Sequence, residues 1–407
     1  EQRKHIFHHL VLAVGFEQFI HRKFIGQKRF SLEGIEALIP ALDTTIEHGS
    51  EFGAEAFVIV MAHRGRLNVI TNIMGKPYEN VFAEFMGEKY DVESSLGDVK
   101  YHLGYSNTIT TDKGKSIRLN LVPNPSHLET VGPIAEGISR ARIEKFYNND
   151  YSKLIPIIIH GDAAVAVQGV VYETIQMSQL AGYTTGGTIH LVLNNQVGFT
   201  TNYTEARSST YSTDVAKVTR CPVFHVNADD PEALVHTIQI AVEYRQTFHT
   251  DVFIDILGYR RYGHNEGDEP RFTQPVLYDL IAKHPNVRDF YASKLIDKGV
   301  INSDEVKDER QKFDTILEER LEIAKSNTKI KILKFLPGTW KDFRFSNSAD
   351  FVESPETKVS VDSINKVAKA LNTLPADKEF FKKLTKIIEE RAELIKSGKV
   401  DWALGEL

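Results

Sequence analysis

The apolar residues of this chain fall into short unbroken runs separated by stretches of helical spacing. Ala56-Phe-Val-Ile-Val-Met-Ala62 and Leu154-Ile-Pro-Ile-Ile-Ile159 are apolar at every position. A run of strand length without polar alternation belongs to a strand covered on both faces, as in a parallel sheet between helical layers. Thr188-Ile-His-Leu-Val-Leu193, Pro222-Val-Phe-His-Val226 and Asp251-Val-Phe-Ile-Asp-Ile-Leu257 repeat the pattern with few polar interruptions.

Between these runs the period lengthens. Leu32, Ile35, Leu38, Ile39 and Leu42 recur at helical spacing, with Ser31 as cap, Glu33 in the first turn and Gly49 as the stop. A second helical stretch covers residues 168–181 and stops at Gly182. A third opens on Asp229-Asp-Pro-Glu and carries Leu234, Ile238, Ala241 and Val242 on one face. Strands alternating with helices predict an α/β fold: a doubly wound, mostly parallel sheet over residues 40–275, behind a helical lead-in over 1–39. Beyond Pro275 the chain becomes rich in Lys and Glu, and residues 276–400 read as a helical extension with a linker. Its helical parts are 276–325 and 376–397, the latter with Phe381, Leu384, Ile388 and Ile395 on one face; 326–375 reads as loop.

Composition narrows the classes. With 42% hydrophobic and 26% charged residues in 407, whole-chain disorder, collagen and coiled coil are excluded, and two or three domains fit. A net charge of −6 gives no basic footprint for nucleic acid or an anionic membrane. The single Cys221 excludes an intrachain disulfide framework and fits a reducing compartment. No apolar run has the length of a membrane span or a signal segment. The start at Glu1 and the end at Asp401-Trp-Ala-Leu-Gly-Glu-Leu407 read as cut edges of a longer chain.

Ligands of open α/β sheets bind beyond the carboxyl ends of the strands. Five such ends carry polar residues here: His63-Arg-Gly-Arg66, His160-Gly-Asp162, Asn194-Asn195, Asn227-Ala-Asp-Asp230 and Arg260 to Glu269. A strand, a crossover and a second strand bring Asp162 and Asn195 to one edge. A carboxylate and an amide oxygen there, with neighbouring carbonyls, suit Mg²⁺ or Ca²⁺, and Mg²⁺ commonly also holds phosphate oxygens. The alternative is that Asp162 caps a helix and Asn194-Asn195 forms a turn. Arg64 and Arg66 offer forked donors for a phosphate or carboxylate, or form a solvated basic loop. His102 and His127 are acid–base or hydrogen-bonding candidates, or structural. The segment from Arg260 to Glu269 is either a site wall or an ion-pair network, the latter favoured for its acidic members. No G-x-G occurs, and Gly114-Lys-Ser116 lacks the first glycine of a P-loop; H-E-x-x-H, paired-Cys and G-x-S-x-G motifs are absent too. Hydrolase and kinase readings lose ground.

Gly161-Asp162-Ala163 followed by Asn194-Asn195 resembles the Gly-Asp-Gly…Asn-Asn motif of thiamine-diphosphate enzymes, with Ala for the last Gly. Together with MAHRGRLN, DVKYHLGYS, NPSHLE, NNQVGFTT and YRRYGHNEGDEP, it resembles one family, the decarboxylating component of 2-oxoglutarate dehydrogenase. The motifs run in family order along essentially the whole chain.

The resemblance implies a thiamine-diphosphate-binding fold and residue roles. Asp162, Asn195 and the Val197 carbonyl would hold Mg²⁺. Arg64, Leu128, Asp162, Ala163, Ala164 and Asn195 would contact thiamine diphosphate. His63 and His102 would be catalytic and, with Ser126, bind the 2-oxo acid; His127 lies beside them. Residues 207–214 would cover the cofactor. It further implies decarboxylation of 2-oxoglutarate in the tricarboxylic acid cycle and succinyl transfer to a lipoylated dihydrolipoyl succinyltransferase component. The full enzyme would be a homodimer, in a bacterial cytoplasm or mitochondrial matrix. Alternatives are a 2-oxoadipate dehydrogenase subunit and a non-catalytic assembly fragment. In this family a pyrimidine-binding domain supplies the activating glutamate. Residues 401–407 would begin that domain, so the chain alone is expected to be inactive.

Overall fold

The computed structural model describes residues 1–87, 98–326, 335–344 and 346–406. Parts of the expected 326–375 loop, and Leu407, lie outside them. The chain divides into two compact units, Glu1–Asp342 and Phe343–Leu407.

In the first unit seven strands form one sheet: β1 (Ala56–Met61), β2 (Tyr105–Thr110), β3 (Ser116–Leu121), β4 (Leu154–Gly161), β5 (Ile189–Asn194), β8 (Val223–Asn227) and β9 (Val252–Leu257). Two short strands, β6 (Val197–Gly198) and β7 (Thr201–Asn202), make a separate hairpin. The sheet order is β2-β3-β1-β4-β5-β9-β8, parallel except that β2 runs against β3. The mostly parallel α/β architecture expected from the apolar runs is therefore present.

Strand β1 shows why the runs lack alternation. Phe57, Ile59 and Met61 pack into a core shared with the helices α1 (Gln2–Lys23) and α2 (Leu38–Glu51). Ala56, Val58 and Val60 point the other way, into a cluster with Val131, Ala135 and Ile143 of α5 (Val131–Tyr147). Both faces are apolar because both are covered. Two further helices follow β1, α3 (Arg66–Asn72) and α4 (Tyr78–Met86). After β4 come the one-turn α6 (Asp162–Val165) and α7 (Gly169–Met177); after β7 comes α8 (Tyr203–Ala206). Helix α9 (Pro231–Phe248) opens as the sequence predicts, with Pro231 in its first turn and the Asp230 carboxylate accepting from the Ala233 amide at 3.2 Å.

In this unit three local readings differ from the structure. The hairpin β2–β3 was not legible as strands, because Tyr105-Ser-Asn-Thr-Ile-Thr110 is an edge strand with half-exposed polar positions. The helix expected from Ser31 begins only at Leu38. Gly34 stands at φ +105°, and a Cβ there would lie 2.2 Å from the Tyr259 carbonyl oxygen, so residues 31–37 form turns against that strand exit. Ser31 Oγ accepts from the Glu33 amide at 3.1 Å, a local turn in place of a cap. The helix expected over 168–181 ends at Met177.

Helices α10 (Pro275–Lys283), α11 (Val287–Asp297) and α12 (Ser303–Ser326) complete the first unit. Gly15 lets α1 and α12 approach closely: a Cβ there would meet the Phe313 ring at 2.7 Å. The second unit contains α13 (Val361–Leu371), α14 (Lys382–Lys396) and α15 (Trp402–Glu406). Helix α13 falls within the stretch expected as loop. None of the described side chains in these three helices is fully buried.

Candidate functional site

The strands that follow β1 and β4 in sequence lie on opposite sides of that central pair, so the winding reverses between them. Such a reversal leaves a crevice at the carboxyl ends of the two strands. A cavity of about 720 Å³ opens there. It is lined by residues 60–64 across the end of β1, 158–164 across the end of β4, and 193, 195 and 197–199 across and beyond the end of β5.

At its floor, Asp162 begins helix α6 directly after Gly161 and is 2% exposed. Burial raises its carboxyl pKa to about 6, against the opposing effects of the Arg207 guanidinium and a hydrogen bond from the Asn195 backbone. Asn195 is held by its own turn: Oδ1 accepts from the Val197 amide at 3.2 Å, across Gln196 in the left-handed region at φ +66°. Gln196 is tied down in turn, with its amide donating to Asn194 Oδ1 and its side chain to the Gly258 carbonyl at 2.8 Å. The two loops touch through small residues. A Cβ on Gly198 would sit 2.8 Å from Ala163 Cβ. A carboxylate, an amide oxygen and backbone carbonyls form an oxygen-only donor set, which suits a hard cation such as Mg²⁺. The small residues beside them leave the cavity open over backbone, so a metal-bound diphosphate fits in chemistry and in space.

One wall is aromatic and imidazole-rich. The His63 ring lies 5.0 Å from Phe30, 5.3 Å from Tyr101 and 4.9 Å from His102, centre to centre. Its Nε2 is buried without a hydrogen-bond partner. Burial, with His102, Arg66, His264 and Arg64 nearby, lowers its pKa to about 4, so the ring is neutral near pH 7. His102 Nδ1 lies 3.0 Å from Asp98 Oδ1, and its Nε2 lies 3.3 Å from Ser126 Oγ. The His102 carbonyl also accepts from the Asn124 amide at 2.9 Å, which joins the turn carrying His102 to the loop carrying Ser126. His63, His102 and Ser126 are thus contiguous: His63, Ser126 and Leu128 line the cavity, and His102 stands behind them. His127 is exposed and is fixed through its carbonyl, which accepts from Thr130 Oγ1 at 2.9 Å.

The two arginines of His63-Arg-Gly-Arg66 separate. Arg66 is fully buried and donates to the carbonyls of Met61, Leu103 and Val122, so it braces the β1 exit and offers nothing to a ligand. Arg64 lines the cavity while donating to the carbonyls of Ser31 and His264 at 2.9 Å. The segment from Arg260 to Glu269 proves to be both wall and brace. Arg260 and His264 line the cavity, whereas the Glu266 carboxylate accepts from the backbone amides of Arg29, Phe30 and Ser31. That contact holds Phe30 at φ +51° with its ring on His63.

Sequence reasoning missed a buried polar chain that runs through the sheet to the cavity. His190 Nε2 faces Asp251 at 3.6 Å, His190 Nδ1 lies 2.9 Å from His160 Nε2, and His160 Nδ1 lies 2.7 Å from Glu129 Oε2. The signal was available: a polar residue within an otherwise apolar strand must find a buried partner.

Comparison with known proteins follows from this geometry. Residues 8–333 match the family model of the dehydrogenase E1 component. The chain is 43% identical over 411 residues to the "2-oxoglutarate dehydrogenase-like, mitochondrial" protein of Rattus norvegicus, and equally to that of Pongo abelii. Against the "2-oxoglutarate dehydrogenase E1 component" of Brucella canis it is 42% identical over 419 residues. Each match covers the whole of this chain and 40–41% of the relative, so the chain spans about two fifths of the length of these curated relatives. With the family model matched across the sheet, the cavity and their flanking helices, the chain belongs to the dehydrogenase E1 component family.

Proposed function

We propose that this chain carries the diphosphate- and metal-binding half of a thiamine-diphosphate-dependent site that decarboxylates 2-oxoglutarate. The observation that carries the reading is the convergence of Asp162, Asn195 and Val197 at adjacent strand exits, beside a small-residue floor and on the same cavity as the neutral His63 ring. Asp162, the Asn195 amide oxygen and the Val197 carbonyl would hold Mg²⁺. Ala163 and Ala164 would leave backbone open to the diphosphate, and Arg64 and Leu128 would flank the cofactor. The chemistry that the cofactor contributes when bound is an electron sink for the carbon–carbon bond broken as CO₂ leaves.

His63, His102 and Ser126 would bind the dicarboxylate. A neutral His63 with an unpartnered Nε2 donates a hydrogen bond to a substrate oxygen in the tautomer protonated there, without burying an extra charge. His102, held by Asp98, would act through its Nε2 contact with Ser126, which lines the cavity. The relatives carry 2-oxoglutarate in their names, which supports a 2-oxo dicarboxylate as substrate; 2-oxoadipate is the alternative of the same chemical class. In that setting the acyl acceptor is a lipoyl group of a dihydrolipoyl succinyltransferase component. The working enzyme is a homodimer, in a bacterial cytoplasm or mitochondrial matrix. Among the described residues no helix is long and apolar enough to cross a membrane.

Calorimetric titration with thiamine diphosphate plus Mg²⁺ tests the reading. We expect Mg²⁺-dependent binding in the parent chain and none in Asp162→Asn. An absence of binding in the parent, or undiminished binding in the variant, sinks it.

A further inference from the structure

A second cluster of metal-ligand character lies far along the sequence from Asp162, where α1 meets α2. His5 and His9 stand one turn apart on α1, so their rings project from the same face. Asp43 of α2 faces both: its Oδ2 lies 2.7 Å from His5 Nε2 and its Oδ1 lies 3.3 Å from His9 Nε2. The three ligand atoms fall within 4.8 Å of one another, the one such trio of His, Cys or acidic side chains among the described residues. Ligands about 2.0–2.2 Å from a tetrahedral ion stand a little over 3 Å apart, so small side-chain rotations suffice to admit one.

Three features distinguish the cluster from a surface ion pair. The helices that carry it are core elements, with Ile6, Leu10, Leu42 and Ile46 buried in the main core. The outer nitrogen of His5, Nδ1, lies 3.6 Å from Asp112 Oδ2, a small rotation away from the hydrogen bond by which a carboxylate orients a metal-bound histidine. His9 Nδ1 is buried without a hydrogen-bond partner, and its Nε2 faces Asp43. A groove of about 620 Å³, lined in part by His5, Asp43, Glu47 and Asp112, gives an ion an approach from solvent. The acidic surroundings favour a cation there.

We propose that His5, His9 and Asp43 form a binding site for a divalent ion of the Zn²⁺ class, with Asp112 orienting His5. Two imidazoles and one carboxylate select a borderline transition ion over Mg²⁺ or Ca²⁺, which prefer oxygen ligands alone. Bound there, the ion clasps the first helix to α2 and to the turn between β2 and β3. It stabilises the folded chain increasingly as its free concentration rises above the dissociation constant, with a logarithmic dependence.

The test uses the purified chain, stripped with EDTA. Co²⁺ alone is titrated and followed by its visible absorption; Zn²⁺ alone is titrated in competition with a chromophoric chelator. One equivalent of Co²⁺, displaced by Zn²⁺, is expected. His5→Ala and the isosteric Asp43→Asn should each weaken Zn²⁺ binding by more than tenfold, and Asp112→Asn by roughly 10- to 100-fold. Asp162→Asn should leave it unchanged. Circular dichroism checks the fold of each variant; His5 and Asp43 are both partly exposed, which favours retention. Lack of stoichiometric binding overturns the proposal, as does equal affinity in His5→Ala and Asp43→Asn, or loss of the ion in Asp162→Asn.

Discussion

The Arg207 guanidinium stops 3.8 Å from the Asp162 carboxylate, with its Nε and Nη1 buried and without hydrogen-bond partners. The charge offsets that of the carboxylate, yet no hydrogen bond fixes the pair. A divalent ion that takes the same oxygen must therefore work against the guanidinium. Removing a positive charge at that range is worth about 1 kcal/mol in water and more in buried surroundings. Arg207→Gln should tighten Mn²⁺ binding, read by electron paramagnetic resonance with the metal alone, by roughly fivefold or more. Unchanged or weaker Mn²⁺ binding in this variant rules out the competition.

The contact between Gly198 and Ala163 yields a second prediction, in stability. The Cβ of a residue at 198 meets Ala163 Cβ at 2.8 Å, and neither atom can rotate away. Gly198→Ala should cost about 1–3 kcal/mol, as overpacking does. It should also displace the turn that holds Asn195. Gly137, in α5, has nothing within 4 Å of its Cβ position. Gly137→Ala should stabilise by about 0.5–1 kcal/mol through helix propensity. Thermal unfolding of the two variants, one lowered and one raised, is the measurement; equal shifts would contradict the packing argument.

How much of this was legible in the sequence depends on where each residue sits. The apolar runs of β1, β4, β5 and β9 disclosed a sheet buried on both faces, because burial leaves no room for alternation. The polar strand exits disclosed the edge at which Asp162, Asn195 and His63 gather. Pairing across space was hidden. Arg66 reads as a ligand-binding arginine until its three carbonyl partners are seen, and they come from segments up to 56 residues away. Glu266 likewise stabilises amides more than 230 residues earlier. Edge strand β2 and the displaced start of α2 depend on tertiary contacts that no local period records.

A pH prediction follows from Glu36, which is 1% exposed. Its Oε2 accepts from the Gly34 amide at 2.9 Å, but Oε1 has no partner. Burial, reinforced by the neighbouring Glu33, raises its pKa from 4.5 to about 8. Between those values the unfolded carboxyl releases its proton while the folded one retains it. The folded state then binds more protons, so this contribution is fully present below about pH 4.5 and is lost as pH rises through about 8. Glu36→Gln should flatten that slope, and its advantage over the parent in denaturant unfolding should grow from about pH 5 to about pH 8. Glu17 and Glu136, each raised to about 7, slope the same way and remain in the variant, so the flattening is partial. A gap between variant and parent that does not change with pH would refute the assignment.

From Asp251 a buried polar chain runs through His190 and His160 to Glu129. The stacked imidazoles, centred 5.2 Å apart, also stack on Phe253, so their planes are fixed by the core of the sheet. Glu129 is the cavity end of that chain and stands in the left-handed region at φ +66°. It directly follows Leu128 and lies three residues from Ser126. The carboxylate therefore anchors a strained turn on which cavity-lining side chains depend. His160→Ala leaves that buried carboxylate without its 2.7 Å partner, a loss of about 1–3 kcal/mol before any cavity is counted. The strain at 129 then has less to oppose it. Amide hydrogen exchange should accelerate over residues 126–132, while α9, packed elsewhere on the sheet, keeps its protection. Glu129→Gln, which retains an acceptor for the ring nitrogen when the ring donates, should show a smaller effect. Uniform acceleration across both regions would mean that His160 supports the sheet as a whole and does not position this turn.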